Sequence, residues 1–318
     1  MTPKNILNIG FDISNHNNNS RLQVVRLSKK TIQEFSKQII GHDVQSIEYK
    51  PFLRFFLANC LNKLTEDTLG HYLLDTIKDR SRGAVLLECE SLDASTLNGI
   101  DFIDFNILLS TAISHLLGVP NLDSMSGKFY ARFSVKNEDD SDSYLRQAHR
   151  RMELHTDGTY VNEITDWVIM QKMLEVDVEG GDSLLLHLDD WQDLDKFYNN
   201  PLAKQKFKWG SPASKNIGYK NFHPIFINDK SDSQPKISFI DQFAEPLNIE
   251  QGMYLFEVGE SLENEVNTSN VKLLEGSMII INNYFWLHGR DKFIANKKLH
   301  RELLRQRGAF EENAGSNN

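Results

Sequence analysis

Apolar residues recur at every third or fourth position through KKTIQEFSKQII, KPFLRFFLANCLNKL and TEDTLGHYLLDTIKDR, the spacing of one buried face on a helix. DFIDFNILLSTAISHLLG continues that period until Gly118 and Pro120 stop it. GAVLLECE, lying between these runs, reads as a short buried strand. From Lys128 the period changes to two. KFYARFSVK places Phe129, Ala131, Phe133 and Val135 on one face and Tyr130, Arg132 and Ser134 on the other. DWVIMQKML, DSLLLHL, FHPIFI, KISFID, SMIIINNYFWLHG and LHRELLRQRGAF are further strand-like runs, most of them bounded by polar or glycine-containing turns. Strands that follow one another without regularly interleaved helices point to a sandwich or jelly roll rather than a doubly wound sheet. The expected fold is α+β and mainly β, one domain over 21–310: a helical part over about 21–120 packed on a jelly-roll core over about 121–310. Residues 1–20, which end in NHNNNS, read as a flexible arm, and 311–318 as a flexible tail.

Composition narrows the function classes. The chain has 318 residues, and 35 Lys and Arg against 44 Asp and Glu give a net charge of −9. With no basic excess to release counterions, general binding to a nucleic-acid backbone is not expected. No apolar run approaches the roughly 18 residues that span a bilayer, and the N-terminus lacks a secretory pattern, so no membrane partner is expected. Cys60 and Cys89 sit in apolar surroundings (LANC, LLEC) and read as two unpaired thiols, as in a reducing cytoplasm.

The candidate chemistry begins in MELHTDGTY. His155 and Asp157 are two residues apart, which on a helix would point them away from each other and on an extended segment points them the same way. They can therefore meet on one metal ion if the segment is extended. Among the histidines in strand-like surroundings, which include His187 and His223, His288 is best placed as a third ligand. It ends the apolar run SMIIINNYFWLHG and precedes Gly289 and Arg290. Two imidazoles and a carboxylate leave coordination positions open, the facial triad of non-haem Fe(II) oxygenases, whereas a closed structural zinc site needs a fourth ligand. In LHRELLRQRGAF, Arg301, Leu303, Arg305 and Arg307 share one strand face. Pointing inward, such arginines need anionic partners, and a carboxylate suits the guanidinium fork; pointing outward, they form a solvated basic edge.

These phrases together resemble the Fe(II)/2-oxoglutarate-dependent dioxygenases with a double-stranded β-helix, and more narrowly the glutarate 2-hydroxylase family. IEYKPFLRF, SMSGKFYARFSVKN, SDSYLRQAHRRMELHTDGTY, GGDSLLLHLDDW, FHPIF, INNYFWLHGRD and HRELLRQRG carry the likeness, which spans roughly Gln45 to Phe310. The resemblance implies that His155, Asp157 and His288 hold Fe(II). It also implies that Arg305 or Arg307 (Arg307 slightly favoured), with Ser183 beside them, binds the distal carboxylate of 2-oxoglutarate, and that the protein is a homotetramer. The implied reaction is C2 hydroxylation of glutarate to L-2-hydroxyglutarate with release of succinate and CO2, a step of lysine and glutarate catabolism. A small dicarboxylate needs further cations. Arg132 and Tyr130, on one strand face near the HxD segment, are the expected substrate contacts, with Arg146, Arg150, Arg151 and Arg290 also nearby in sequence. Phe285 and Trp286 read as core.

Two other readings stand beside this one: a 2-oxoglutarate oxygenase acting on another small acid, and a non-enzymatic jelly-roll protein that binds a metal. Asp157→Ala is expected to abolish turnover while leaving melting close to that of the unsubstituted chain, because the ligand lies at a strand end.

Overall fold

The computed structural model describes residues 10–123, 126–136, 150–211, 217–229, 232–294 and 296–314. In chain order the elements are β1 Phe11–His16, β2 Asn19–Leu27, α1 Lys29–Gln38, α2 Val44–Tyr49, α3 Phe52–Leu64, α4 Thr68–Lys78, β3 Ala84–Cys89, α5 Ala94–Leu97, α6 Phe102–Leu117, β4 Val119–Pro120, β5 Ala131–Lys136, β6 Met152–His155, β7 Trp167–Val176 and β8 Ser183–His187. There follow α7 Leu194–Tyr198, β9 Phe207–Trp209, β10 Asn221–His223, β11 Phe226–Asp229, β12 Asp232–Ile237, β13 Ala244–Glu245, α8 Ile249–Glu263, β14 Ser269–Val271, β15 Met278–Asn282, β16 Trp286–Arg290 and β17 His300–Ala309.

An eight-stranded sheet runs β1-β2-β3-β15-β7-β17-β4, with β5 also paired to β17, and a four-stranded sheet runs β14-β8-β16-β6. Period-two alternation gives the large sheet two different faces. Trp167, Ile169, Met278, Ile280 and Leu304 turn towards the helices and join Phe35, Leu61, Phe105 and Ile113 in one buried cluster. Val168, Met170, Ile279 and Ile281 turn the other way and share a second cluster with Leu184, Leu186 and Leu287 of the small sheet. The site lies in this second interior, between the sheets.

The helices expected at the N-terminal end form where their apolar spacing placed them, and α6 ends on Gly118, whose φ of 154° and tight approach to Ala309 exclude a side chain. Four expectations change. The segment read as an arm is a strand pair from Phe11 onward: β1 takes its hydrogen bonds from β2, and β2 runs parallel to β3. β1 is an edge strand that buries only Phe11 fully, so its pattern resembled that of a loose segment. The tail closes a turn after Phe310, where Asp166 accepts hydrogen bonds from the Phe310 amide at 2.7 Å and the Asn313 side chain at 2.9 Å; residues 315–318 lie outside the described residues. The strand-rich half also contains a 15-residue helix, α8. Its buried positions Gln251, Tyr254, Val258 and Leu262 are spaced for a helix, but exposed Met253 and Phe256 and two glycines blur the pattern. Finally, SMIIINNYFWLHG is two strands in two sheets, β15 and β16, parted by a turn in which Asn282 accepts from the Tyr284 amide at 3.0 Å.

Candidate active site

β6 ends at His155, and the chain passes through Thr156 into a bend at Asp157 that brings the two side chains together. β16 pairs antiparallel with β6 so that His288 stands directly opposite His155. Their rings lie 4.3 Å apart between centroids. One ligand atom each from His155, Asp157 and His288 falls within 4.8 Å of the others. Gly158 makes the turn possible: its φ is 86°, and a Cβ there would meet the Thr165 hydroxyl at 2.6 Å. Gly289 lets β16 approach β6, since a Cβ would sit 2.5 Å from the Met152 carbonyl oxygen.

Each donor is prepared for a cation. His155 Nδ1 is 2.8 Å from the Glu153 carbonyl oxygen, which assigns the ring proton to Nδ1 and leaves Nε2 as the ligand atom. Burial, reinforced by neighbouring His155, pulls His288 down to about 3, so the ring is neutral, the form that coordinates metal. Burial alone would raise Asp157, but the Arg305 guanidinium beside it holds it well below the usual carboxylate range. Arg305 Nη1 donates to Asp157 Oδ1 at 2.9 Å. Asp157 Oδ2 and His288 Nδ1 are buried and have no hydrogen-bond partner among the described residues. Hard oxygen and borderline nitrogen donors left unmatched in a buried cluster fit a divalent first-row metal with open positions.

The triad opens on a cavity of about 110 Å³, several times the roughly 30 Å³ of a liquid water. Phe133, Tyr160, Ile240 and Phe243 form an apolar wall, with Tyr160 edge-on to Phe243 at 5.1 Å. Ser183, Arg290, Arg301 and Arg305 also line it, so a chain of net negative charge encloses a cationic site. Arg301 is 3% exposed, and burial lowers it to about 9, still cationic at neutral pH. Its Nε has no partner among the described residues; a Phe293 ring lies 5.7 Å away. Arg290 donates to the Arg150 carbonyl oxygen at 2.8 Å.

The structure thus brings His155, Asp157, His288, Ser183 and Arg305 to one cavity. Arg307 lines an adjoining small hollow with Asn121, Asp123 and Tyr130. Arg132 is not at the site. It is half-exposed and paired with Glu302, because the cavity takes the alternate face of β5, that of Phe133 and Val135. Tyr130 donates to Glu48 at 2.7 Å and does not line the cavity. Arg132→Ala is therefore expected to leave substrate KM and kcat unchanged and to cost no more than about 1 kcal/mol of stability, measured by steady-state kinetics and melting. Arg151 pairs with Glu263 at 2.7 Å, and Arg146 lies outside the described residues. His187 packs edge-on to Trp286, and His223 stacks on Trp209 with both ring nitrogens against carbonyl oxygens; neither lines the cavity. Trp286 is buried and donates to the Arg82 carbonyl oxygen.

The family model described as CsiD matches residues 11–310. Glutarate 2-hydroxylase of Citrobacter koseri is 44% identical over 301 residues, covering 95% of this chain and 91% of that protein. The Klebsiella pneumoniae protein of the same name is 45% identical over 301 residues, with the same coverage. Among solved structures, asparagine oxygenase in complex with Fe(II), 2S,3S-3-hydroxyasparagine and succinate superposes with a TM-score of 0.69 at 15% identity, covering 90% of this chain and 93% of that one. The non-haem iron oxygenase OrfP in complex with Fe and alpha-ketoglutaric acid gives 0.64 at 14% identity, covering 90% and 93%. At that identity the likeness is one of fold.

Proposed function

Since the chain belongs to the CsiD family, we propose that it hydroxylates glutarate at C2 to L-2-hydroxyglutarate, using Fe(II) and 2-oxoglutarate and releasing succinate and CO2. The two sheets with the site between them are read as a double-stranded β-helix. The observation that carries the proposal is the opposition of His288 and His155 across one strand pair, with Asp157 joining them.

When bound, iron and 2-oxoglutarate supply the oxidising chemistry: one oxygen atom of O2 goes to glutarate and the other to succinate. The chain's own residues do the rest. His155, Asp157 and His288 would hold the metal, with the Glu153 carbonyl orienting the first and Arg305 keeping the second ionised. Arg301 is the cation this reading assigns to the distal carboxylate of 2-oxoglutarate, with Ser183 as a hydroxyl donor on the same cavity wall. The sequence favoured Arg305 or Arg307 there, but Arg305 already has Asp157 as its partner. Arg307, in the adjoining hollow, is the cation left for a glutarate carboxylate. The apolar wall of Phe133, Ile240 and Phe243 excludes water from the reacting carbon.

The reading includes a homotetramer in the cytoplasm. Cys60 and Cys89 are both free thiols, which suits that compartment, and no described helix is long and apolar enough to cross a membrane. Succinate release should depend on glutarate when four- to six-carbon diacids and amino acids are compared. Good turnover of adipate or an amino acid, with none of glutarate, would overturn the substrate. The alternative of another small-acid oxygenase keeps the same metal residues, and only that panel separates the two.

A further inference from the structure

We infer that Asn283 is the positioning residue that fixes the metal-binding carboxylate, by holding both ends of the loop 157–165 with one side-chain amide. Its Oδ1 accepts the Asp157 amide proton at 2.9 Å. Its Nδ2 donates to the carbonyl oxygens of Asp157 and of Thr165, each at 2.9 Å. Its backbone amide donates to the Asp166 carbonyl oxygen at 2.8 Å. The peptide groups on either side of the Asp157 Cα are therefore both tied to one rigid planar group. Asn283 is 3% exposed, so no water stands in for these bonds. The loop it closes also carries Tyr160, part of the cavity wall. Asn283 sits in the turn between β15 and β16, so the same residue ties Asp157 to the strand that presents His288.

This inference rests on the reading that His155, Asp157 and His288 hold a metal ion. Failure of that reading shows first: the unsubstituted protein would take up no Co(II), or His288→Ala would take it up as tightly. With Co(II) bound, Asn283→Asp is the decisive variant. It keeps the size and the acceptor but turns oxygen towards two carbonyl oxygens. The neighbouring Asn282 is the control, because it is as buried and its amide bonds the Ile77 carbonyl oxygen at 3.1 Å without touching Asp157.

Co(II) titration by the visible d–d band should show Asn283→Asp binding about 10- to 100-fold more weakly, with an altered band, as for other partners that orient a ligand. Asn282→Asp should lower Tm while leaving Co(II) affinity within about threefold, well short of that range. Unchanged Co(II) affinity in Asn283→Asp, or equal weakening in Asn282→Asp, overturns the role. If Asn283→Asp does not fold, Asn283→Ser removes the amide without adding charge and is judged against the same two outcomes.

Discussion

Asp157→Ala and Asp157→Asn should both lose glutarate-dependent succinate release, and the alanine variant should melt below the asparagine variant. Both remove the anionic ligand, leaving two imidazoles beside a guanidinium with no negative charge to offset that of a divalent cation. The difference between them is structural. Arg305 and Asp157 meet at 2.9 Å with 18% and 9% of their side chains exposed. Alanine leaves that guanidinium without its acceptor, which costs about 1–3 kcal/mol for a group so placed. Asparagine keeps an oxygen for it. Part of the loss is offset because Arg305 lies over the Phe133 ring at 4.8 Å. The sequence alone led to the expectation that Asp157→Ala melts like the unsubstituted chain, and the ion pair revises it. Circular dichroism melting and coupled succinate assays read both halves; substantial succinate release by either variant would remove Asp157 from the metal site.

What repeats at short range was legible. The helices α1, α3, α4 and α6 and most strands declared themselves through periods of 3.6 and 2. HxD at spacing two required an extended segment; β6 supplies it as far as His155, and a bend then carries Asp157 to the same cluster. His288 could be named because a polar ring at the end of an apolar run is conspicuous. What depends on pairing at long range was hidden. Arg132 and Arg301 look alike in sequence, each alternating along a strand, and only the register of β17 against β5 and β7 shows which face meets the cavity. The preference for Arg305 and Arg307 could not anticipate that an acid from a distant strand already occupies one of them. Asn283 lay in a phrase read as continuous strand, and its role depends on a turn that this reading erased. The hairpin at the N-terminus was missed for a related reason: an edge strand buries little of its own surface, so its hydrogen bonds, not its pattern, place it.

Arg301→Met should raise the 2-oxoglutarate requirement by about 30-fold to several-thousand-fold without destabilising the protein. A guanidinium–carboxylate pair desolvated in a cavity is worth roughly 2–5 kcal/mol when one partner is truncated, and about 1.4 kcal/mol corresponds to tenfold in affinity. Arg301 is as buried as the apolar residues around it, its Nε has no partner among the described residues, and the pull of nearby Asp182 only partly offsets the cost of burying its charge. Its folded pKa lies below the ordinary arginine value because burial disfavours the charged form. At neutral pH the unfolded chain therefore accommodates that charge better than the folded one, and the residue opposes folding until an anion arrives. Methionine removes the charge while keeping much of the side-chain volume, so the ligand-free variant should melt no lower than the unsubstituted protein. The Tm increase that 2-oxoglutarate and Mn(II) give the unsubstituted protein should shrink in the variant by the same loss of affinity. A purely structural arginine would behave in the opposite way, with Tm falling and cosubstrate dependence unmoved. Should Arg301→Met saturate normally with 2-oxoglutarate while Arg305→Met or Arg307→Met does not, the cosubstrate carboxylate lies at the other end of the cavity and the two anions exchange places in the assignment.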